Sequence, residues 1–188
     1  LTCVYFSSQS PAFSTLSNFL LIFNQIAVNG ILAFGVTFVI ISGGIDLSIG
    51  SILAVSGVVA ALFAQAETGN LGLSILLSLL VGTLIGTLNG LITVFSKVPP
   101  FIVTLGSMTM GRGLALLISD GKPVSNLLDS FNYLGNEAIL GIPISILILV
   151  LTFFISTYIL DQSIWGRYIK AIGGNEFAAF VSGISVNK

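Results

Sequence analysis

Few residues of this 188-residue chain can do chemistry, and their types narrow what that chemistry is. Histidine is absent, so no imidazole base, His-based metal site or Ser-His-Asp triad can be built. Cys3 is the single cysteine, which excludes a disulfide framework and a cysteine metal cluster. The pattern G-x-x-x-x-G-K-[ST] does not occur, so ATP is not bound by that phosphate loop. What remains is a handful of polar groups set in apolar sequence. Asp46 and Ser48 follow a glycine pair in Gly43-Gly44-Ile45-Asp46-Leu47-Ser48-Ile49-Gly50. Asn24, Gln25 and Asn29 interrupt one apolar segment, and Arg112 interrupts another. A polar tail, broken by Gly173-Gly174, carries Arg167, Lys170, Asn175 and Glu176. Groups of this kind suit passage and signalling better than catalysis: no enzyme, cofactor or metal is expected.

Each polar group has two readings. Gly43 and Gly44 break a helix, and Asp46 or Ser48 can cap the next one by accepting from its free N–H groups. The alternative is a break at membrane depth whose freed backbone lines a cavity, with Asp46 as a functional carboxylate. Gln25 and Asn29 are one turn apart on one helix face. They are either glue between helices or partners for a solute's hydroxyl groups. Ser78, Gly82, Gly86 and Gly90 recur every four residues, a stripe that lets a second helix approach closely. Thr83, Thr87 and Asn89 lie beside it, placed to hydrogen-bond across it. The other reading of the stripe is a sliding, pore-lining surface. Arg112 either snorkels outward or pairs with Asp120.

The elements that must position these groups follow from composition. Hydrophobic residues make up 55% and charged residues 7%, with mean hydropathy +1.09, whereas a soluble domain has about 25% charged residues. Lipid must therefore cover most of the outside. A net charge of -1 argues against a nucleic-acid partner. Five apolar segments, over residues 19–42, 45–64, 71–95, 100–119 and 143–160, are each near the roughly 20 residues that cross a bilayer. Period-2 alternation is missing, so the segments are helices. The expected fold is an all-α polytopic transmembrane bundle, residues 1–188 forming one membrane domain. Pro99-Pro100 and Pro143 stand where helices should begin. The chain lacks an initiating Met and stops just after the tail, so both ends are expected to be cut.

Cations set the orientation. With the tail inside, Lys97, Arg167, Lys170 and Lys188 are all inside. Only Lys122 then lies in an outside link, beside Glu67, Asp120, Asp129 and Glu137. This agrees with the positive-inside bias.

Three stretches together carry a resemblance. Residues Ile41-Ser42-Gly43-Gly44-Ile45-Asp46-Leu47-Ser48-Ile49-Gly50-Ser51 resemble the signature of monosaccharide ABC-importer permeases of the ribose type. The tail Gly166-Arg167-Tyr168-Ile169-Lys170-Ala171-Ile172-Gly173-Gly174-Asn175-Glu176-Phe177-Ala178-Ala179, continued by residues 182–188, is similar to that family's cytoplasmic loop. Residues 100–113 fit as well. The resemblance covers almost the whole chain.

It implies a permease subunit of the bacterial inner membrane. A second permease copy, a pair of separate ATPase subunits inside and a solute-binding protein outside would complete the importer. It also implies further helices beyond the tail. Gly173, Gly174, Asn175, Glu176, Ala178 and Ala179 are then the ATPase-coupling element. The glycine pair gives a turn and Asn175 caps a short helix from Glu176 to Val181. Gly43, Gly44, Asp46, Ser48, Gln25 and Asn29 fall to the translocation path or its helix break, and Gly82, Gly86 and Gly90 to helix packing.

Overall fold

The computed structural model describes residues 2–186. Leu1, Asn187 and Lys188 lie outside that range, and with them one cation of the set expected inside and the last two residues of the tail motif. The described residues form helices α1 (Thr2–Gln9), α2 (Leu16–Ile41), α3 (Ile49–Phe63), α4 (Leu71–Ser96) and α5 (Pro100–Ile118). Then come α6 (Asp129–Asn136), α7 (Ile144–Gln162), α8 (Ile164–Gly174) and α9 (Glu176–Val181). A small antiparallel hairpin, β1 (Ala138–Ile139) with β2 (Ile142–Pro143), precedes α7.

The helix boundaries follow local chemistry. Thr15 Oγ1 accepts the Asn18 N–H at 3.3 Å and Asn70 Oδ1 accepts the Leu73 N–H at 3.0 Å, capping α2 and α4. Pro100 opens α5, where a missing N–H costs nothing, and Pro143 precedes the first residue of α7. The hairpin turns through Leu140 (φ 52°) and Gly141 (φ 82°), the left-handed pair that a two-residue turn requires. Neither this hairpin nor α6 was visible in the hydrophobic pattern, because both are too short to show a period.

Helices α2, α4, α5 and α7 are long and apolar enough to cross a membrane. The second apolar segment departs from expectation. Its helix, α3, begins at Ile49 rather than near residue 45 and has 15 residues. At 1.5 Å per residue it reaches about 22 Å, short of the roughly 30 Å hydrocarbon core. Residues 44–48 precede it outside any helix.

Two packed groups make up the bundle: α4 and α5 lie on α3, and α2 lies on α7. The buried apolar side chains are mostly small: Ala27, Val55, Ala64, Ala115, Ile144 and Ala179. Beside them are the buried polar Ser48, Ser51, Ser74, Asn89 and Thr104. Small side chains permit close backbone approach, which supplies the van der Waals contact that holds helices together in lipid. Polar bonds add glue. Ser74 Oγ donates to the Ala60 carbonyl at 2.7 Å, joining α4 to α3, and Ser145 Oγ donates to Asn24 Oδ1, joining α7 to α2. Phe34 and Phe153 meet across α2 and α7 with ring centroids 5.7 Å apart and planes tilted by 53°. Outward faces expose large apolar side chains such as Leu84, Phe95, Leu117 and Phe154.

The links sort into two ends as the alternation of segments requires. At one end the loop after α3 pairs with the loop before α6: the Leu128 N–H donates to the Ala64 carbonyl at 2.7 Å and the Ala66 N–H to the Asn126 carbonyl at 2.8 Å. At the other end residues 43–46, the Lys97–Pro100 link and the α8–α9 region surround a common cavity. This second end carries Lys97, Arg167 and Lys170, the cations that the sequence reading expects inside.

Candidate functional site

The segment between α2 and α3 is built as a pinned, non-helical strap. Gly43 has φ 86°, a conformation that disfavours any side chain, and it turns the chain out of α2. Asp46 Oδ1 then accepts two bonds from Ser48: from the N–H at 2.7 Å and from the hydroxyl at 2.6 Å. Ser48 is the residue before α3, yet its hydroxyl does not cap the helix. It points back to Asp46 instead. Asp46 and Ser48 therefore hold each other, just upstream of the helix, in place of the expected direct cap. From α4, Asn89 Nδ2 donates to Ser48 Oγ at 3.0 Å. From α5, Thr104 Oγ1 lies 3.3 Å from the Ile45 carbonyl. Ser51 Oγ donates to the Ser48 carbonyl at 2.7 Å. The strap is thus bonded to both helices that flank α3.

Of these residues, Ile45, Asp46, Asn89 and Thr104 border a cavity of about 920 Å³. Its wall includes Gly44, Asp46, Asn89, Thr93, Lys97 and Glu176, which come from the strap, α4, the α4–α5 link and the start of α9. The lining mixes amides, hydroxyls and charges with aliphatic surface. Such a wall can bond a neutral polar solute transiently, whereas a metal site is absent among the described residues.

The tail forms a second, connected unit. Ser163 caps α8 through the Gly166 N–H at 3.1 Å, and Lys170 pairs with Asp161 at 2.7 Å, fixing α8 against the end of α7. Asn175 is extended, with φ -160° and ψ 104°, and its Oδ1 accepts the Ala178 N–H at 2.9 Å. The expected short helix is present as α9, and Ala179 is its buried residue. The glycines act differently from expectation. Gly173 and Gly174 are the last residues of α8 and neither has a positive φ, so the turn belongs to Asn175. Gly173 is needed for another reason: a Cβ there would fall on the carbonyl oxygen of Ile41, the last residue of α2. The Gly174 position opens on free space.

Other candidates are dispersed. Gln25 and Asn29 sit on an exposed face of α2, and neither borders the cavity. Their neighbour Asn24 makes the interhelical bond instead. The small-residue stripe splits. A Cβ on Gly82 would meet Ser56 Oγ on α3 at 3.2 Å, whereas Gly86 and Gly90 have no neighbour within 4 Å and border the cavity. Asp120 pairs with Lys122 at 3.1 Å rather than with Arg112. Asn89, beside the stripe, makes the cross-element hydrogen bond expected of it, though its partner Ser48 was not foreseen; Thr104 escaped the sequence reading. The signal for Asn89 was an amide deep in an apolar helix. Thr104 gave none, because threonine in a membrane helix ordinarily bonds its own backbone.

If Asp46 holds the strap only by accepting from Ser48, Asp46→Asn should be nearly silent, since the amide oxygen accepts equally well. Asp46→Ala orphans the buried Ser48 hydroxyl and should lower stability by about 1–3 kcal/mol. Thermal unfolding of the purified parent protein in detergent reads both. A loss with Asp46→Asn as large as with Asp46→Ala would assign the effect to the charge.

A polytopic helical membrane component, with one broken segment and a helix pair folded against one end, is the class that these observations define. The family described as branched-chain amino acid transport system / permease component matches residues 18–188. The chain belongs to this family. It is 45% identical over 181 residues to the ribose import permease of Bacillus subtilis (strain 168), covering 95% of this chain and 56% of the relative. The D-allose transport system permease of Escherichia coli (strain K12) is 36% identical, with 96% of this chain and 56% of the relative covered. The L-arabinose transport system permease of the same strain is 39% identical, with 94% and 53% covered. The chain thus spans about half the length of the curated relatives it matches. No solved structure matches.

Proposed function

We propose that the protein containing this chain is the membrane-spanning permease subunit of an ATP-binding-cassette importer for a monosaccharide or a related small polar solute. It works in the bacterial inner membrane, as a pair of permease copies. ATPase subunits dock on the face that carries α8 and α9, and a solute-binding protein delivers from the opposite face. The permease itself hydrolyses nothing. The observation that carries this reading is the contact of Gly173 with Ile41. It seats the partner-facing tail on the end of α2, directly before the Gly43–Gly44 break, so a push on α9 arrives at the strap that borders the cavity. Sugar permeases among the relatives support the substrate class. The mixed lining of the cavity suits a solute that must bind weakly and leave.

The full-length parent protein, tagged and purified from bacterial membranes, should bring an ATPase subunit with it. Reconstituted with that subunit and a binding protein, it should import ribose, allose or arabinose only when ATP is supplied. Uptake that persists without ATP and collapses when an ion gradient is dissipated would replace the proposal with a secondary transporter.

A further inference from the structure

Asn89 is the one buried amide of α4, 8% exposed, and it reaches across to the strap. The direction of the bonds is informative. Asn89 Nδ2 can only donate, so Ser48 Oγ accepts from it at 3.0 Å. The single Ser48 proton is then free to go to Asp46 Oδ1, at 2.6 Å. The Ser48 N–H also donates to that oxygen at 2.7 Å. Ser48 is fully enclosed, so water cannot replace either partner. The result is a one-way relay of hydrogen bonds, amide to hydroxyl to carboxylate, which fixes the rotor of Ser48 and commits Oδ1 of Asp46. Asp46 and Asn89 both border the cavity. One turn further along α4, Thr93 Oγ1 bonds the Asn89 carbonyl at 2.8 Å, tying the amide's own backbone. Lys97 then ends α4 at the cavity rim.

We propose that Asn89 is a positioning residue for transport. It latches the strap to α4, so that the strap and the C-terminal half of α4 move as one piece, and it holds the Asp46 carboxylate at the cavity wall. This rests on the permease reading above. The latch is closed in the structure. Its bonds would link the shape of the cavity to the position of the link at Lys97.

The test uses the full-length permease with its ATPase and binding protein. Asn89→Leu keeps the volume but loses the donor; Ser48→Ala removes the acceptor. Each single variant should cut the maximal uptake rate by about tenfold at equal membrane abundance. The half-saturating concentration of loaded binding protein should not move, because its docking face is at the other end. The double variant should be no worse than Ser48→Ala alone, since Asn89 reaches the strap only through that hydroxyl. A second readout follows the strap itself. With Cys3→Ser in the background, Ile45→Cys in inside-out vesicles should be labelled by an impermeant thiol reagent at rates that differ with and without ATP. Asn89→Leu should remove that difference. Additive losses, unchanged uptake, or labelling that stays ATP-dependent in Asn89→Leu would each overturn the latch. A side chain that merely fills space predicts normal uptake for Asn89→Leu. Failure of the unsubstituted parent to retain an ATPase subunit would instead remove the underlying permease reading.

Discussion

Gly173→Ala is expected to abolish solute uptake by the full-length permease, while Gly174→Ala leaves it near the parental rate. The two substitutions add the same single methyl group to adjacent residues of the last turn of α8. Their surroundings are opposite. At Gly173 the methyl would coincide with the Ile41 carbonyl oxygen and crowd the backbone at Ser42. Backbone atoms cannot rotate aside as a flexible side chain can, so α8 itself must lift from α2. At Gly174 nothing lies within 4 Å, and alanine is the better helix former. A lifted α8 carries α9 with it through the Asn175 cap, and the element proposed to face the ATPase is misplaced relative to the strap. The membrane helices keep their own contacts, so insertion and abundance should survive. ATP hydrolysis should continue but lose its stimulation by loaded binding protein. Parental uptake with Gly173→Ala would show that the α2–α8 contact transmits nothing. Glu176, which borders the cavity from the first turn of α9, is the next position to vary on that surface.

The second large effect should come from Gly111→Ala in the middle of α5. A Cβ there would lie 2.8 Å from Ser51 Oγ and 2.9 Å from Ser51 Cβ, closer than packed carbon atoms tolerate. Ser51 is itself nearly enclosed, at 2% exposure, and its hydroxyl is engaged with the Ser48 carbonyl. It can yield only by breaking that bond or by separating α5 from α3. Overpacking of this kind costs about 1–3 kcal/mol. The separation would also draw Thr104 away from the strap. Gly113→Ala, two residues on, meets nothing within 4 Å and should be neutral or slightly stabilising. Thermal unfolding of the two variants of the parent protein in detergent, side by side, measures the difference. Equal midpoints would mean that α3 and α5 are not in contact in the assembled permease.

The sequence by itself determined the class and most of the elements. An apolar segment long enough to cross a bilayer announces itself through composition, because every lipid-facing residue must be apolar whatever its neighbours are. Hence α2, α4, α5 and α7 begin and end close to where the hydropathy changes, and Pro100 and Pro143 mark their starts. Local chemistry was equally legible: Asn175 caps a helix over Glu176–Val181 because a cap needs only residues three positions apart. The break after α2 was also readable from Gly43 and Gly44.

What only the tertiary structure decided is which residues meet. Aliphatic composition does not reveal that α3 begins only at Ile49, because Leu47 is as apolar inside a helix as outside one. The partners of Ser48 come from Asp46 beside it and from Asn89, 41 residues away. No periodicity carries information over that separation. Gly173, Gly86 and Gly82 look alike in the sequence, since each is a glycine that follows a β-branched aliphatic residue. They differ only in what stands opposite: a carbonyl of α2, an open cavity, and a serine of α3. Gln25 and Asn29 were read as a pair because they share a helix face, yet it is Asn24, on the adjoining face, that finds a partner in α7. A helix face is fixed by its own sequence, but its occupant is fixed by how the other helices pack.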